Sequence, residues 1–125
     1  MPITLNTTLR NARATAIVTE AGATAKLSVY TASYATLLYT STCAATLGTV
    51  SGGVLTFNAV GNATASGAGT AAIARLFKTD GTTMVIEGLT VGASGSGANV
   101  IITNTTIAVS DTVTTSSATI TEGNP

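Results

Sequence analysis

The chain has 125 residues, with five basic and five acidic side chains, no His, no Trp and a single Cys, and Thr, Ala and Gly make up roughly half of it. Five scattered cations balanced by five anions cannot form the basic stripe that neutralises a phosphate backbone, so nucleic acid is not expected as a partner. No run approaches the ~20 apolar residues of a membrane span, and residues 1–20 lack the apolar core of a signal peptide, so a protein made and kept in a cytosol is expected.

Residues 6–20 read as a helix, with Asn6 as N-cap, Gly22 as the stop, and Leu5, Leu9, Ala12 and Ala16 as an apolar stripe. Arg10 and Arg13 lie beside that stripe, as a solvated edge or as contacts to a carboxylate on another subunit. After Gly22 the character turns to short β-type runs. Lys26–Tyr30 alternates, residues 35–42 form a Thr-rich strand, and Ser51-Gly52-Gly53 is a turn leading into Val54–Phe57. Residues 61–70 are Gly- and Ala-rich and read as a loop or a flat edge strand.

Asp80-Gly81 is the sharpest local signal, a two-residue hairpin turn needing positive φ at both positions. That register pairs Phe77 with Met84, Leu76 with Val85 and Arg75 with Ile86. It puts Ile73, Phe77, Met84 and Ile86 on the core face, with Arg75 at its rim or bridging to a carboxylate. Residues 92–97 are a flexible loop, and 99–107 and 111–121 are further strands. Seven or eight short strands at about ten-residue spacing predict a mainly β fold: an antiparallel β-sandwich, jelly-roll or Ig-like, with one N-terminal α-helix. The expected organisation is a single domain, 1–125, with an arm and helix over 1–22 and the sandwich over 23–125.

Chemistry is hard to assemble from these residues. Without His there is no Ser-His or Cys-His pair. The carboxylates Glu20, Asp80, Glu87, Asp111 and Glu122 leave a glycosidase-like pair open, but Trp platforms are absent. Gly67 to Ala72 matches a dinucleotide G-x-G-x-x-A pattern with Glu87 twenty residues on, yet no further βαβ units accompany it. No 12-residue window holds the carboxylates of a calcium loop. Cys43 reads as a small buried hydrophobe. The sequons at Asn6, Asn62 and Asn104 are no more than composition supplies. No catalytic residue, cofactor or metal ligand is expected. The candidate contact residues are Arg10, Arg13 and Arg75, and Asp80 and Gly81 are assigned to the turn.

The mean hydropathy is +0.48. With zero net charge, this predicts apolar surface that other subunits cover. Taken end to end, the segments Leu5–Val18, Lys26–Ala32, Ala74–Gly88, Asn99–Val113 and Ala118–Asn124 resemble, in that order, a family of small structural proteins of tailed bacteriophages and prophages. The resemblance implies a β-sandwich module of the virion with no catalytic residues. The expected role is capsid decoration, a cement protein contacting itself as a homo-oligomer and the major capsid protein. A tail, collar or fibre-attachment component is the alternative. A binding module for carbohydrate or host surface would instead need Tyr30, Tyr34 and Tyr39 exposed as a platform, and at least one of them is expected in the core.

Overall fold

In the computed structural model, which describes residues 5–121, the first element is helix α1, Thr7–Ala21. Asn6 Oδ1 accepts the Leu9 N–H at 2.8 Å, satisfying one of the donors that every helix start leaves unpaired. Gly22, at φ +70°, ends it with its N–H on the Val18 carbonyl. The buried stripe differs from the expected one. Ala14 and Ala21 are buried and Ile17 and Val18 pack on the core, while Leu9 is 46% exposed and Ala12 and Ala16 face solvent. Both stripes have helical spacing, and in a helix of Ala and Thr their apolarity is similar. The bulk of Ile17 and Val18 decides which one is buried.

Twelve strands follow among the described residues: β1 Lys26–Tyr30, β2 Leu37–Thr42, β3 Gly48–Ser51, β4 Val54–Phe57, β5 Ala63–Thr64, β6 Gly69–Thr70, β7 Ile73–Phe77, β8 Met84–Gly92, β9 Val100–Ile102, β10 Thr106–Ile107, β11 Thr112–Val113 and β12 Thr115–Thr121. Eight of them form one curled sheet in the order β2-β1-β7-β8-β9-β12-β4-β3, while β6–β10 and β5–β11 make two small pairs. The fold is therefore mainly β with one helix. Two departures from the expected strand set stand out. Four strands are only two residues long, and β8 and β9 run parallel, Val91 opposite Val100 and Gly92 opposite Ile101.

The parallel return explains the Gly-rich segment. Parallel neighbours usually need a dozen or more connecting residues. Here the overlap is two residues, so a short loop suffices, turned by Gly95 and Gly97 at φ +85° and +79°. The end of the loop is tied down just before β9. Asn99 Oδ1 accepts from the Thr90 N–H and hydroxyl, its own N–H donates to Thr90 Oγ1, and its Nδ2 donates to the Thr119 carbonyl. Residues 61–67 cover the edge of β2, with Gly61 N–H on Thr42 O and Ser66 N–H on Leu38 O. β5 then passes that edge on to β11, so the β2 edge is not left to pair with another chain.

The hairpin after β7 corrects the two-residue turn. Lys78 N–H donates to Thr83 O and Gly81 N–H to Lys78 O, so four residues make the connection. Gly81 has positive φ, +73°, whereas Asp80 does not. Asp80 acts through its side chain. Oδ1 accepts both the Thr82 and Thr83 N–H groups at 2.8 Å, and Oδ2 accepts the Thr83 hydroxyl at 2.6 Å. Phe77 does pair with Met84, but bulges at Val85 and Gly88 then shift the register to Leu76–Ile86, Arg75–Glu87 and Ala74–Leu89. The core face of β7 is not the expected one: Ala74 and Leu76 are buried, and Ile73, Arg75 and Phe77 face outward.

One core cluster joins the helix to both ends of the sheet: Ala14 and Ala21 from α1, Leu27, Val29 and Leu38 from β1 and β2, and Leu55, Val100 and Ile102 from β4 and β9. Cys43 lies in it as expected, 3% exposed. The segment 122–125, which holds Glu122 and the end of the phage-like succession, lies outside the described residues.

Candidate functional site on the outer face of the sheet

The register of β2, β1, β7 and β8 sets three rows of side chains across their outer face. The row nearest the hairpin is Thr42, Lys26, Phe77 and Met84; the middle row is Thr40, Ser28, Arg75 and Glu87; the third is Leu37, Tyr30, Ile73 and Thr90. On the other face, Leu27, Val29, Tyr39, Ala74 and Leu76 are buried. This alternation is what a sheet with one covered face requires. Two side-chain hydrogen bonds tie the β1–β2 side together, with Lys26 Nζ donating to Thr42 Oγ1 at 2.8 Å and Ser28 Oγ 2.9 Å from Thr40 Oγ1.

Above the middle row stands Tyr34, carried by the short 3-10 turn Ala32–Tyr34. Thr31 closes that loop twice. Its N–H donates to Thr36 O and its Oγ1 accepts the Thr36 N–H, both at 3.0 Å. Ser33 and Tyr34 are both held at φ +59°. Left-handed backbone costs a non-glycine residue of order 1–2 kcal/mol, so the surrounding contacts must impose it. The contacts are visible. Tyr34 Oη accepts the N–H of bulged Gly88 at 2.8 Å, its ring meets Tyr30 edge-on at 5.4 Å and 77°, and Arg75 Cζ lies 3.8 Å from its centroid. Arg75 Nε is 3.5 Å from Glu87 Oε2, an ion pair rather than a hydrogen bond.

Of the five aromatic residues, Tyr30, Tyr34 and Phe77 lie on this outer side; Tyr39 and Phe57 are in the core. The three tyrosines are thus split, and no three-ring platform forms. Leu37 and Met84, on two corners of the face, are 42% and 49% exposed.

The three arginines singled out from the sequence go to different places. Arg75 is at the centre of this face beside Glu87, not on the core face where the expected register set it at the rim or bridging to a carboxylate. Arg10 packs its guanidinium over Gly53 in the β3–β4 turn, where a Cβ would come within 2.7 Å of Cζ. Asn11 Oδ1 accepts the Gly53 N–H beside it at 2.7 Å. Arg13 is exposed on α1. Asp80 and Gly81 shape the hairpin at the edge of the face. Sequence reasoning did not find Tyr34's posture or the Gly88 bulge. The signal for both was local: a Thr31–Thr36 pair flanking Ser-Tyr, and a Gly inside a strand pattern.

The other candidates carry less chemistry. Residues 69–77 form β6 and β7 with no helix between them, so Gly67–Ala72 is not the strand–turn–helix of a dinucleotide site. A hollow of about 280 Å³ by Thr103 and Asn104 contains one carboxylate, Asp111, already accepting the Ala108 N–H. A second, of about 320 Å³ between β4 and β12, is lined by hydroxyl, amide and apolar groups. Among the described residues no group of three or more His, Cys, Asp or Glu could hold a metal ion, and no helix is long and apolar enough to cross a membrane. No family model matches the chain, nor does any curated protein or solved structure.

Proposed function

We propose that this chain is a non-catalytic structural protein of a bacteriophage virion, a capsid decoration (cement) protein that binds the assembled head and stabilises it through subunit contacts. The observation that carries the reading is where the aromatic residues sit. A chain with five of them leaves three on one outer sheet face, beside Arg75 and Met84. Aromatic residues, Arg and Met are the side chains enriched where protein surfaces meet. The remaining support is the low charge and the succession of segments resembling phage structural proteins. Burying such a face against a neighbour gains roughly 25 cal/mol per Å² of apolar area before association costs. In this reading the curl of the sheet makes a two-layer sandwich, β2-β1-β7-β8 facing β12-β4-β3, and the outer layer meets the neighbour.

Mass spectrometry of purified mature virions tests the class. The chain is expected at a stoichiometry set by the head lattice; a sub-stoichiometric amount points to the tail or collar alternative, and its absence overturns the reading. A glycan-binding module is the second reading, favoured by the outward Tyr30 and Tyr34. Their edge-on packing and the Arg75 stack over Tyr34 leave no flat pair of rings for a sugar. A glycan array is expected to give no binding.

A further inference from the structure

We propose that the outer face of β2, β1, β7 and β8 docks a second copy of this chain about a two-fold axis, with Arg75 of each copy set against Glu87 of the other. The inference rests on the assembly reading above and goes beyond it by naming the face and its occupant.

Charge complementarity points to a second copy. In a two-fold interface the same patch meets itself, so every residue near the axis faces its own neighbours. A patch of one sign would repel its copy. Here one cation and one anion stand side by side on adjacent strands at the centre of the face, and a half-turn about an axis lying in the interface and crossing the Arg75–Glu87 line at right angles between them brings each against its opposite. The third charge of the face, Lys26, lies in the row nearest the hairpin and is tied to Thr42. The chain as a whole has zero formal charge, so no long-range repulsion separates two copies.

The ion pair within one copy is also incomplete. At 3.5 Å, without a hydrogen bond from Nε, it leaves acceptor positions on Glu87, whose side chain is 52% exposed. Apolar contact comes from Leu37, Tyr30 and Ile73 on one side and Phe77 and Met84 on the other. Tyr34 supplies a fixed anchor, held at φ +59° and stacked against the Arg75 guanidinium. A face four strands wide at about 4.8 Å spacing is small beside the ~800 Å² per partner of a standard interface. The dimer is therefore expected to be concentration-dependent.

Sedimentation velocity with light scattering on the purified full chain tests this. The wild type is expected to shift from 12.3 kDa to twice that mass as concentration rises. The R75E and E87R variants, checked for folding by circular dichroism, are each expected to stay monomeric, because like charges then face each other across the axis. Mixing them is expected to restore a dimer of one copy of each, which repair within a single chain cannot produce. A wild type that stays monomeric up to about 1 mM overturns the proposal whatever the variants do. So does dimerisation by either single variant, or a mixture that stays monomeric. A monomer found on virions would sink this face and leave the structural role standing; a dimer absent from virions would do the reverse.

Discussion

The Arg75 guanidinium lies over the Tyr34 ring, and the Tyr34 hydroxyl at the other end accepts the Gly88 N–H. One side chain thus ties the 3-10 turn to β7 and to the bulge of β8. Tyr39 has the same side chain in the opposite circumstances. It is 1% exposed, and its hydroxyl makes no hydrogen bond. Burial pushes its phenol up to about 12, with a smaller opposing pull from the Thr115 hydroxyl, with which it makes no hydrogen bond of normal geometry. The same substitution should therefore act differently at the two sites. Tyr34→Phe is expected to cost about 1 kcal/mol, the net worth of a hydrogen bond, and Tyr39→Phe to be neutral or stabilising. Urea denaturation midpoints at unchanged m-value would show it. Equal losses at both positions would contradict this account.

Gly48 and Gly52 lie at opposite ends of the β3 segment and are glycine for different reasons. A Cβ at Gly48 would run into the Thr56 carbonyl oxygen and the backbone of β4, neither of which can yield without opening the strand pair. At Gly52, φ is +59° but nothing lies within 4 Å. Gly48→Ala is expected to cost upwards of about 2 kcal/mol through overpacking, and Gly52→Ala about 1 kcal/mol through backbone strain alone. Thermal melts of the two variants should separate accordingly.

The Asp80 carboxylate is held well below its ordinary range, at about 2, by hydrogen bonds from the Thr83 hydroxyl and the N–H groups of Thr83 and Thr82. A folded-state value below the unfolded one stabilises the fold above the unfolded pKa near 4. That contribution is lost as pH falls from about 4 to about 2. Asp80 is fully exposed, so the effect is expected to be small. Asp80→Asn should flatten that part of the melting-temperature profile and leave the profile above pH 5 parallel to the wild type. An unchanged slope between pH 4 and 2 would show that the hairpin does not favour the ionised form.

Burial pushes the Cys43 thiol up to about 11, against a weaker opposing pull from Lys26. Relative to the ordinary value of 9.0, this lowers the thiolate fraction near neutral pH about 100-fold. Labelling by a disulfide reagent at pH 8 should be slow in the native chain and complete on adding denaturant. Rapid native labelling would mean that this part of the core opens.

Local chemistry was readable from the sequence wherever one residue decides the outcome. Asn6 caps the helix, Gly22 stops it, Gly52-Gly53 turns β3 into β4, and Lys26–Tyr30 forms a strand. What failed depended on longer-range choices. The helix had two stripes of similar apolarity, and Ile17 and Val18 rather than Leu9 met the core. In the β7–β8 hairpin the first pair, Phe77–Met84, was right, but it lies on the outer face, and the rest of the fold covers Ala74 and Leu76 on the other face of β7. The extra residue at Val85 shifts the pairing of β8 by one position. The same shift placed Glu87 beside Arg75, so the central pair of the candidate site was hidden with it.

The division of the tyrosines also has a spectroscopic consequence. With no Trp in the chain, tyrosine provides the intrinsic emission. Tyr39 looks into the core, whereas Tyr30 and Tyr34 belong to the outer face. The molecule thus carries one built-in reporter of unfolding and two of surface contact. In a Tyr39→Phe chain the fluorescence would come from the outer face alone.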